Sequence, residues 1–239
     1  MKGYIHSFES LAALEGEGLR CAVFMQKCHL RCAYCHNPDT WTDGGQEIES
    51  DELVKKILRY KPYFKETGGV TFSGGEPLLQ ADFLKDMTSK LSALKINYAI
   101  DTSGSVSLSD TVKFVLSNAQ LVILDLKFWD DESYLRYTGQ GINKTLEMLR
   151  FLDSINKRVW LRTVVVPNIN DDEAILEKYL KLFEDIKCVE KYELLGFHTM
   201  GFYKYENLNI KNPLSGTVPL SKDKLDALQA FVDEKIKNK

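Results

Sequence analysis

Six short runs rich in β-branched and aromatic residues, separated by amphipathic stretches, constrain this chain more than any other feature. The runs span residues 21–25, 70–72, 97–100, 121–126, 159–166 and 192–195. Between them apolar residues recur at three- and four-residue spacing, as a helix with one buried face requires. The helical stretches are 51–60, 81–94, 108–116, 144–152 and 173–183. The first carries Leu53, Val54, Ile57 and Leu58 on one face, with Ser50 as its expected N-cap. A last one begins near Ser221, with Leu225, Leu228, Val232 and Ile236 as its stripe. Strands alternating with helices predict parallel β/α construction. Residues 121–124 and 164–166 are apolar without alternation, as strands covered on both faces are.

An open doubly wound sheet and a barrel share this signature, and the polar residues separate them. Residues 28–35 follow the first strand, Gly74, Gly75 and Glu76 the second, and Asp101 and Thr102 end the third. Asp125 and Lys127 stand at the fourth, Arg162 lies along the fifth, and His198 comes just after the sixth. Chemically capable groups at one end of nearly every strand form a barrel arrangement, whereas a switch-point cleft gathers only some of them. The expected fold is therefore an α/β, incomplete (β/α)6 TIM-like barrel of parallel strands. Its site lies at the C-terminal strand ends, in a single domain over residues 1–239.

Composition bounds the function. With 239 residues, 44% hydrophobic and 27% charged, the chain can bury a sizeable core without disulfides or metal staples. Disordered, collagenous and coiled-coil classes are excluded. A net charge of −3 offers no basic field, so neither nucleic acid nor an anionic membrane is an expected partner. The N-terminus has no apolar h-region, and no apolar run approaches the roughly 18 residues of a membrane span. A cytoplasmic, reduced setting is expected. The five cysteines are odd in number, so a fully paired disulfide framework is impossible within one chain. In a reduced compartment, clustered cysteines bind metal or do redox chemistry more often than they pair.

Three cysteines, Cys28, Cys32 and Cys35, fall within eight residues, while Cys21 and Cys188 stand apart as expected core thiols. Unligated thiols crowded into one polar loop are one reading. Zinc held by three cysteines plus His29 or His36 is a second, although structural zinc sites usually draw on two separated pairs. Residues 32–36 also fit the c-type haem attachment pattern, which needs export and leaves Cys28 without a role. An iron–sulfur cluster is the fourth, since closely spaced thiolates are its signature. A four-iron cubane on three cysteines leaves one iron open, and an open position marks a catalytic metal. Neither the dinucleotide glycine fingerprint nor a Walker A loop occurs; Gly16-Glu17-Gly18 lacks the third glycine.

The Cys-x3-Cys-x2-Cys spacing, with Tyr34 before the last cysteine, resembles the signature of the radical S-adenosylmethionine superfamily. The longer string from Cys32 to Trp41 is similar to the activating enzymes of glycyl radical enzymes, most closely the pyruvate formate-lyase type. Ile5-His6-Ser7-Phe8-Glu9-Ser10, Thr71-Phe72-Ser73-Gly74-Gly75-Glu76, Leu124-Asp125-Leu126-Lys127, Arg162 to Pro167 and Glu193 to His198 match in the same order.

The resemblance implies that Cys28, Cys32 and Cys35 hold one 4Fe–4S cluster whose open iron is chelated by S-adenosylmethionine. Tyr34 lies near the adenine, His36 and Asn37 beside the nucleoside, and Gly74, Gly75 and Glu76 at the methionine amino group. Asp101, Thr102 and Asp125 build a monovalent cation site, with ordinary helix capping as the plain alternative for them. Lys127 is the expected partner of a ligand carboxylate, Arg162 points inward to a negative group, and His198 touches the cofactor. A reduced flavodoxin or ferredoxin supplies an electron, S-adenosylmethionine is cleaved to methionine and a 5′-deoxyadenosyl radical, and that radical takes hydrogen from a glycine Cα of the partner, pyruvate formate-lyase. A monomer is expected.

The chain departs from that pattern in Glu15-Gly16-Glu17-Gly18, where Asp-Gly-Pro-Gly is usual, in Ser103 for Asn and in Gly196 for Pro. Residues 203–220 form a loop with no assigned role. No further cysteine lies between Cys35 and Gly74, so one cluster is expected. An activase of another glycyl radical enzyme, a radical enzyme on a small molecule, and an iron–sulfur or zinc electron-transfer module remain as alternatives.

Overall fold

The computed structural model describes residues 1–237. Its strands are β1 (Lys2–Ala12), β2 (Arg20–Met25), β3 (Gln46–Glu49), β4 (Gly69–Gly74), β5 (Asn97–Thr102), β6 (Leu121–Asp125), β7 (Val159–Val165) and β8 (Val189–Gly196). The helices are α1 (Ser50–Leu58), α2 (Lys61–Phe64), α3 (Ala81–Ala93), α4 (Asp110–Asn118), α5 (Asp131–Thr138), α6 (Asn143–Ser154), α7 (Glu173–Leu182), α8 (Tyr203–Asn207) and α9 (Lys222–Lys237). All eight strands form one sheet in the order β3-β1-β2-β4-β5-β6-β7-β8. The six expected strands pair in parallel in chain order, and the sheet stays open between β3 and β8. This is the incomplete barrel, extended by two antiparallel strands. Those two were not foreseen as strands. β1 is mostly exposed between its buried residues, and β3 buries only Ile48, so neither offers an apolar run.

Each central strand sorts its residues by the two-residue period of the pleat. Val70, Phe72, Tyr98, Ile100, Val122, Leu124, Val159 and Leu161 face the helices and join the main core. Ala99, Leu121 and Ile123, with Trp160 against them, form a separate small cluster on the inner face. One step further along the same face lie Asp101, Asp125 and Arg162. The inner face is thus apolar below and charged at the C-terminal strand ends. Cys21 and Cys188 are buried and free, as expected.

Helix ends follow local side-chain chemistry. Ser109 Oγ accepts from Val112 N at 3.2 Å and Asp130 Oδ1 from Ser133 N at 2.8 Å. Ser50 is not a cap; it is the first helical residue, with Glu49 before it. Its hydroxyl instead joins Asp86 and Lys90. α5 escaped the periodicity because Ser133, Tyr134 and Thr138 are its buried residues, a face without a hydrophobic stripe. α8 lies within the unassigned 203–220 stretch.

The β1–β2 connection turns into the barrel. Arg20, 1% exposed, donates to Thr71 Oγ1, to the carbonyls of Val70 and Thr67, and to Glu17 O. Burial lowers its pKa to about 10, so it stays charged at neutral pH. Four acceptors compensate the desolvation that a lone buried guanidinium would suffer.

Candidate functional site

The cysteine loop leaves β2 and is pinned from below. Arg31 N donates to Thr138 O at 2.7 Å, Ala33 N to Tyr137 O at 2.8 Å, and Glu76 N to Lys27 O at 2.9 Å. Leu30, Ala33 and Tyr34 are buried and fasten the loop to the core. Cys28, Cys32, Cys35, Tyr34, His36 and Asn37 all line one cavity of about 280 Å³. Burial pushes the thiols up, to about 12 for Cys28 and Cys32 and about 11 for Cys35. Against that, the Asn37 backbone and the Trp41 side chain hydrogen-bond Cys35 and lower its value. Neutral thiols must release protons to become ligands, so metal binding here is coupled to proton loss.

The strand ends supply the opposite wall: Ser73 and Gly74 of β4 with Gly75 just past it, Asp101 and Thr102 of β5 with Ser103 just past it, Asp125 of β6 with Lys127 beyond, Arg162 of β7, and Leu195 of β8. Gly74 sits at φ +110°, and a Cβ there would lie 2.3 Å from Met25 N. Only glycine allows that conformation and approach. Register places Asp125 opposite Arg162 and Arg162 opposite Glu193.

Arg162 donates from Nε to Glu193 Oε2 at 2.9 Å and from Nη2 to Leu14 O at 2.8 Å. Burial opposes its charge, but Asp101, Glu193, Asp125 and Glu15 outweigh it and raise its pKa. Lys127 Nζ donates to Asp125 Oδ2 at 2.8 Å and stands 5.9 Å from the Tyr34 ring centroid. Burial, then the Asp125 charge, push Asp101 up to about 7, while Ser73 Oγ donates to it at 2.6 Å. Glu15 also lines the cavity, and burial raises its pKa. Three carboxyl groups therefore face two cations, with the carboxyls crowded together.

Two expected contacts sit elsewhere. Glu76 is fully buried and outside the cavity lining; it accepts from Thr102 Oγ1 at 2.6 Å, Ser103 N at 2.9 Å, Leu78 N at 3.1 Å and Ser103 Oγ. Its carboxylate ties the end of β4 to that of β5, and Thr102 spends its hydroxyl there. His198 does not line the cavity either. It stacks on His36 at 3.8 Å, and His36 Nε2 meets His198 O at 2.9 Å. Sequence reasoning missed Trp41, Thr40 and Val164 and read Glu15 only as a departure, yet all four line the cavity. A signal existed for Val164, two residues along the same strand face as Arg162.

The lining suits a thiolate-bound cofactor with a polar organic ligand. The Tyr34 hydroxyl is buried with no partner among the described residues, an orphan donor that a ligand acceptor would satisfy. Thiols are soft donors, suited to iron–sulfur clusters and zinc. A single-ion site would need three donors converging on one point. Among the described residues no three His, Cys, Asp or Glu do so. Among those residues, too, no helix is long and apolar enough to cross a membrane.

Comparison with known proteins agrees with this geometry. Residues 22–179 match the Radical SAM superfamily model. The pyruvate formate-lyase-activating enzyme of Clostridium pasteurianum is 43% identical over 234 residues, covering 97% of this chain and 98% of that protein. That of Staphylococcus epidermidis is 40% identical, over 92% of this chain and 90% of its own. Among solved structures, SuiB of Streptococcus suis bound to its precursor peptide aligns with TM-score 0.69 at 14% identity, over 89% of this chain and 44% of that chain. A domain of a pyruvate-formate lyase-activating enzyme from Bacteroides vulgatus aligns with TM-score 0.57 at 22% identity, over 70% and 94%. The fold, the three-cysteine loop over charged strand ends and the near full-length identity lead to one assignment: the chain belongs to the radical SAM superfamily, in the family of the pyruvate formate-lyase-activating enzymes.

Proposed function

We propose that this protein is an oxidoreductase that activates a glycyl radical enzyme, and that its target is pyruvate formate-lyase. The observation that carries the reading is one cavity bounded by Cys28, Cys32 and Cys35 on one side and by Asp101, Asp125, Lys127 and Arg162 on the other. When bound, a 4Fe–4S cluster and S-adenosylmethionine supply the reductive cleavage that gives methionine and the hydrogen-abstracting 5′-deoxyadenosyl radical. Cys28, Cys32 and Cys35 are the thiols that would hold the cluster, and the cavity beside them would take S-adenosylmethionine. Lys127, its charge kept by Asp125, faces the ligand carboxylate. Tyr34 offers its unpartnered hydroxyl, and the Gly74-Gly75 backbone brings peptide groups close to the methionine end. His36 and Asn37 border the nucleoside, with His198 behind His36.

Asp101, Asp125 and the neighbouring Thr102 are the candidate monovalent cation site. The crowding that raises Asp101 is what a bound cation would relieve. Arg162, held by Glu193 and the Leu14 carbonyl, sets its positive charge against Glu15, which lines the same cavity. Leu30, Val164 and Leu195 give the cavity the apolar part of its lining. The relatives' names and the single cysteine cluster support pyruvate formate-lyase as the target. A reduced flavodoxin or ferredoxin is the proposed electron donor, and the chain acts as one domain, as a monomer, in the cytoplasm.

The deciding experiment is anaerobic reconstitution with iron and sulfide, reduction, addition of S-adenosylmethionine and assay for 5′-deoxyadenosine. About four irons per chain and product formation are expected (cubane stoichiometry), followed by a glycyl radical signal in electron paramagnetic resonance when pyruvate formate-lyase is added. Cys28→Ala should lose the iron and the product, and Cys21→Ala should keep both. One tightly bound zinc and no product would overturn the reading.

A further inference from the structure

The unassigned 203–220 stretch finds a place in the structure: α8 packs beside the turn that follows the third cysteine. Lys204 Nζ donates to Asn37 Oδ1 at 2.7 Å and to the Asp39 carboxylate at 2.9 and 3.2 Å. The adjacent Tyr205 donates its hydroxyl to Cys35 O at 3.0 Å, and its ring meets Trp41 edge-on at 5.9 Å. Asp39 is anchored in turn, because His6 Nε2 of β1 lies 2.9 Å from the same carboxylate. The Lys204 side chain is only 18% exposed. Three distant parts of the chain therefore meet at the Asp39 carboxylate.

The chemistry of that group decides how Asn37 is oriented. An ammonium carries donors and no acceptor, so the amide atom facing Lys204 must be the oxygen. With its oxygen turned to Lys204, the Asn37 carboxamide keeps both N–H donors unused by that contact, and Asn37 lines the cavity. Its other orientation would bring an NH2 group against a cation.

We infer that Lys204 is a positioning residue for the ligand. It fixes the Asn37 carboxamide so that N–H donors serve an acceptor atom on the nucleoside of S-adenosylmethionine, and α8 is the strap that brings it there. This rests on the cavity being the S-adenosylmethionine site. Lys204 itself touches no ligand; it acts through Asn37.

The test is the dissociation constant of S-adenosylmethionine, measured by anaerobic ultrafiltration on the reconstituted holoenzyme, with iron content as the control. Lys204→Met should weaken binding roughly tenfold, the scale of one charge-supported hydrogen bond, with iron per chain unchanged. Lys204→Arg, which still donates, should recover most of the affinity. In an Asn37→Ala background, Lys204→Met should add nothing, because its effect runs through Asn37. A purely structural lysine would weaken binding equally in both backgrounds, and that result overturns the inference.

Asn37→Asp supplies a readout independent of how Lys204 variants fold. The carboxylate keeps the Lys204 partner but has no N–H, so affinity should again fall roughly tenfold. Wild-type affinity in Asn37→Asp would overturn the proposal. If the wild type itself bound no S-adenosylmethionine, the reading of the cavity would fall and this inference with it. Binding by the wild type with unchanged variants would sink the inference alone.

Discussion

Gly75 shows how tightly the site is set at the level of one residue. A Cβ at that position would lie 2.2 Å from the Lys27 carbonyl oxygen and 3.2 Å from Cys28 Cβ. The first is a backbone atom that cannot rotate away, and the second belongs to the leading cysteine. Gly75→Ala must therefore push the start of the cysteine loop out of register. The expected cost is about 1–3 kcal/mol in urea unfolding, the usual range for forcing atoms into a packed site. Iron per chain after reconstitution should fall as well. Full iron at wild-type stability would show that the loop is slack where the structure has it fixed. The Gly-Gly pair was visible in the sequence as a turn or a close approach, but what it approached was not. The neighbour lies just past β2, some fifty residues earlier, and only the parallel pairing of β2 with β4 brings it there.

At the scale of elements, the β1–β2 connection is held by a charge network that also joins the bases of β7 and β8. Arg158 donates to both Glu17 oxygens at 2.6 and 3.1 Å and to both Glu190 oxygens at 2.7 and 2.9 Å. The hydrogen bonds from Arg158 lower the Glu17 pKa. A carboxyl held below its ordinary value stabilises the fold above that value, and the contribution fades as pH falls through the lowered one. Glu17→Gln should thus unfold at lower urea than wild type at pH 7, by about 1 kcal/mol for a partly exposed pair. The gap should close as pH falls through that lowered value, where Glu17 becomes protonated and both side chains are uncharged. A gap independent of pH would mean that the network contributes through packing alone. Glu17 stands where the resembled pattern has proline. A residue with fixed φ is replaced here by one that bonds across the barrel, so the connection is tied by charge instead of backbone stiffness.

An incomplete barrel has two free edges, and the whole molecule manages them differently. β3 is four residues long and carries exposed Glu47 and Glu49, a short charged edge that discourages pairing. β8 is eight residues long, and α9 covers it. Gln229 of α9 accepts from Leu194 N at 2.8 Å and donates to Tyr192 O at 3.0 Å, standing in for one rung of a missing strand. Gln229→Ala should cost about 1–3 kcal/mol for the bare backbone groups and cause concentration-dependent association in sedimentation velocity, with iron loading unchanged. A monodisperse variant of wild-type stability would remove Gln229 from that role. The sequence by itself determined the β/α order, the three-cysteine loop and the charged strand ends, because periodicity and local spacing are carried by near neighbours. It could not determine that β1 and β3 extend the sheet, that Glu76 turns from the cavity to bind Thr102 and Ser103, that His198 stands behind His36, or that Lys204 reaches Asn37. Those depend on which side chains share a space once the sheet has curled, and contacts between residues far apart in the chain are decided only by tertiary packing.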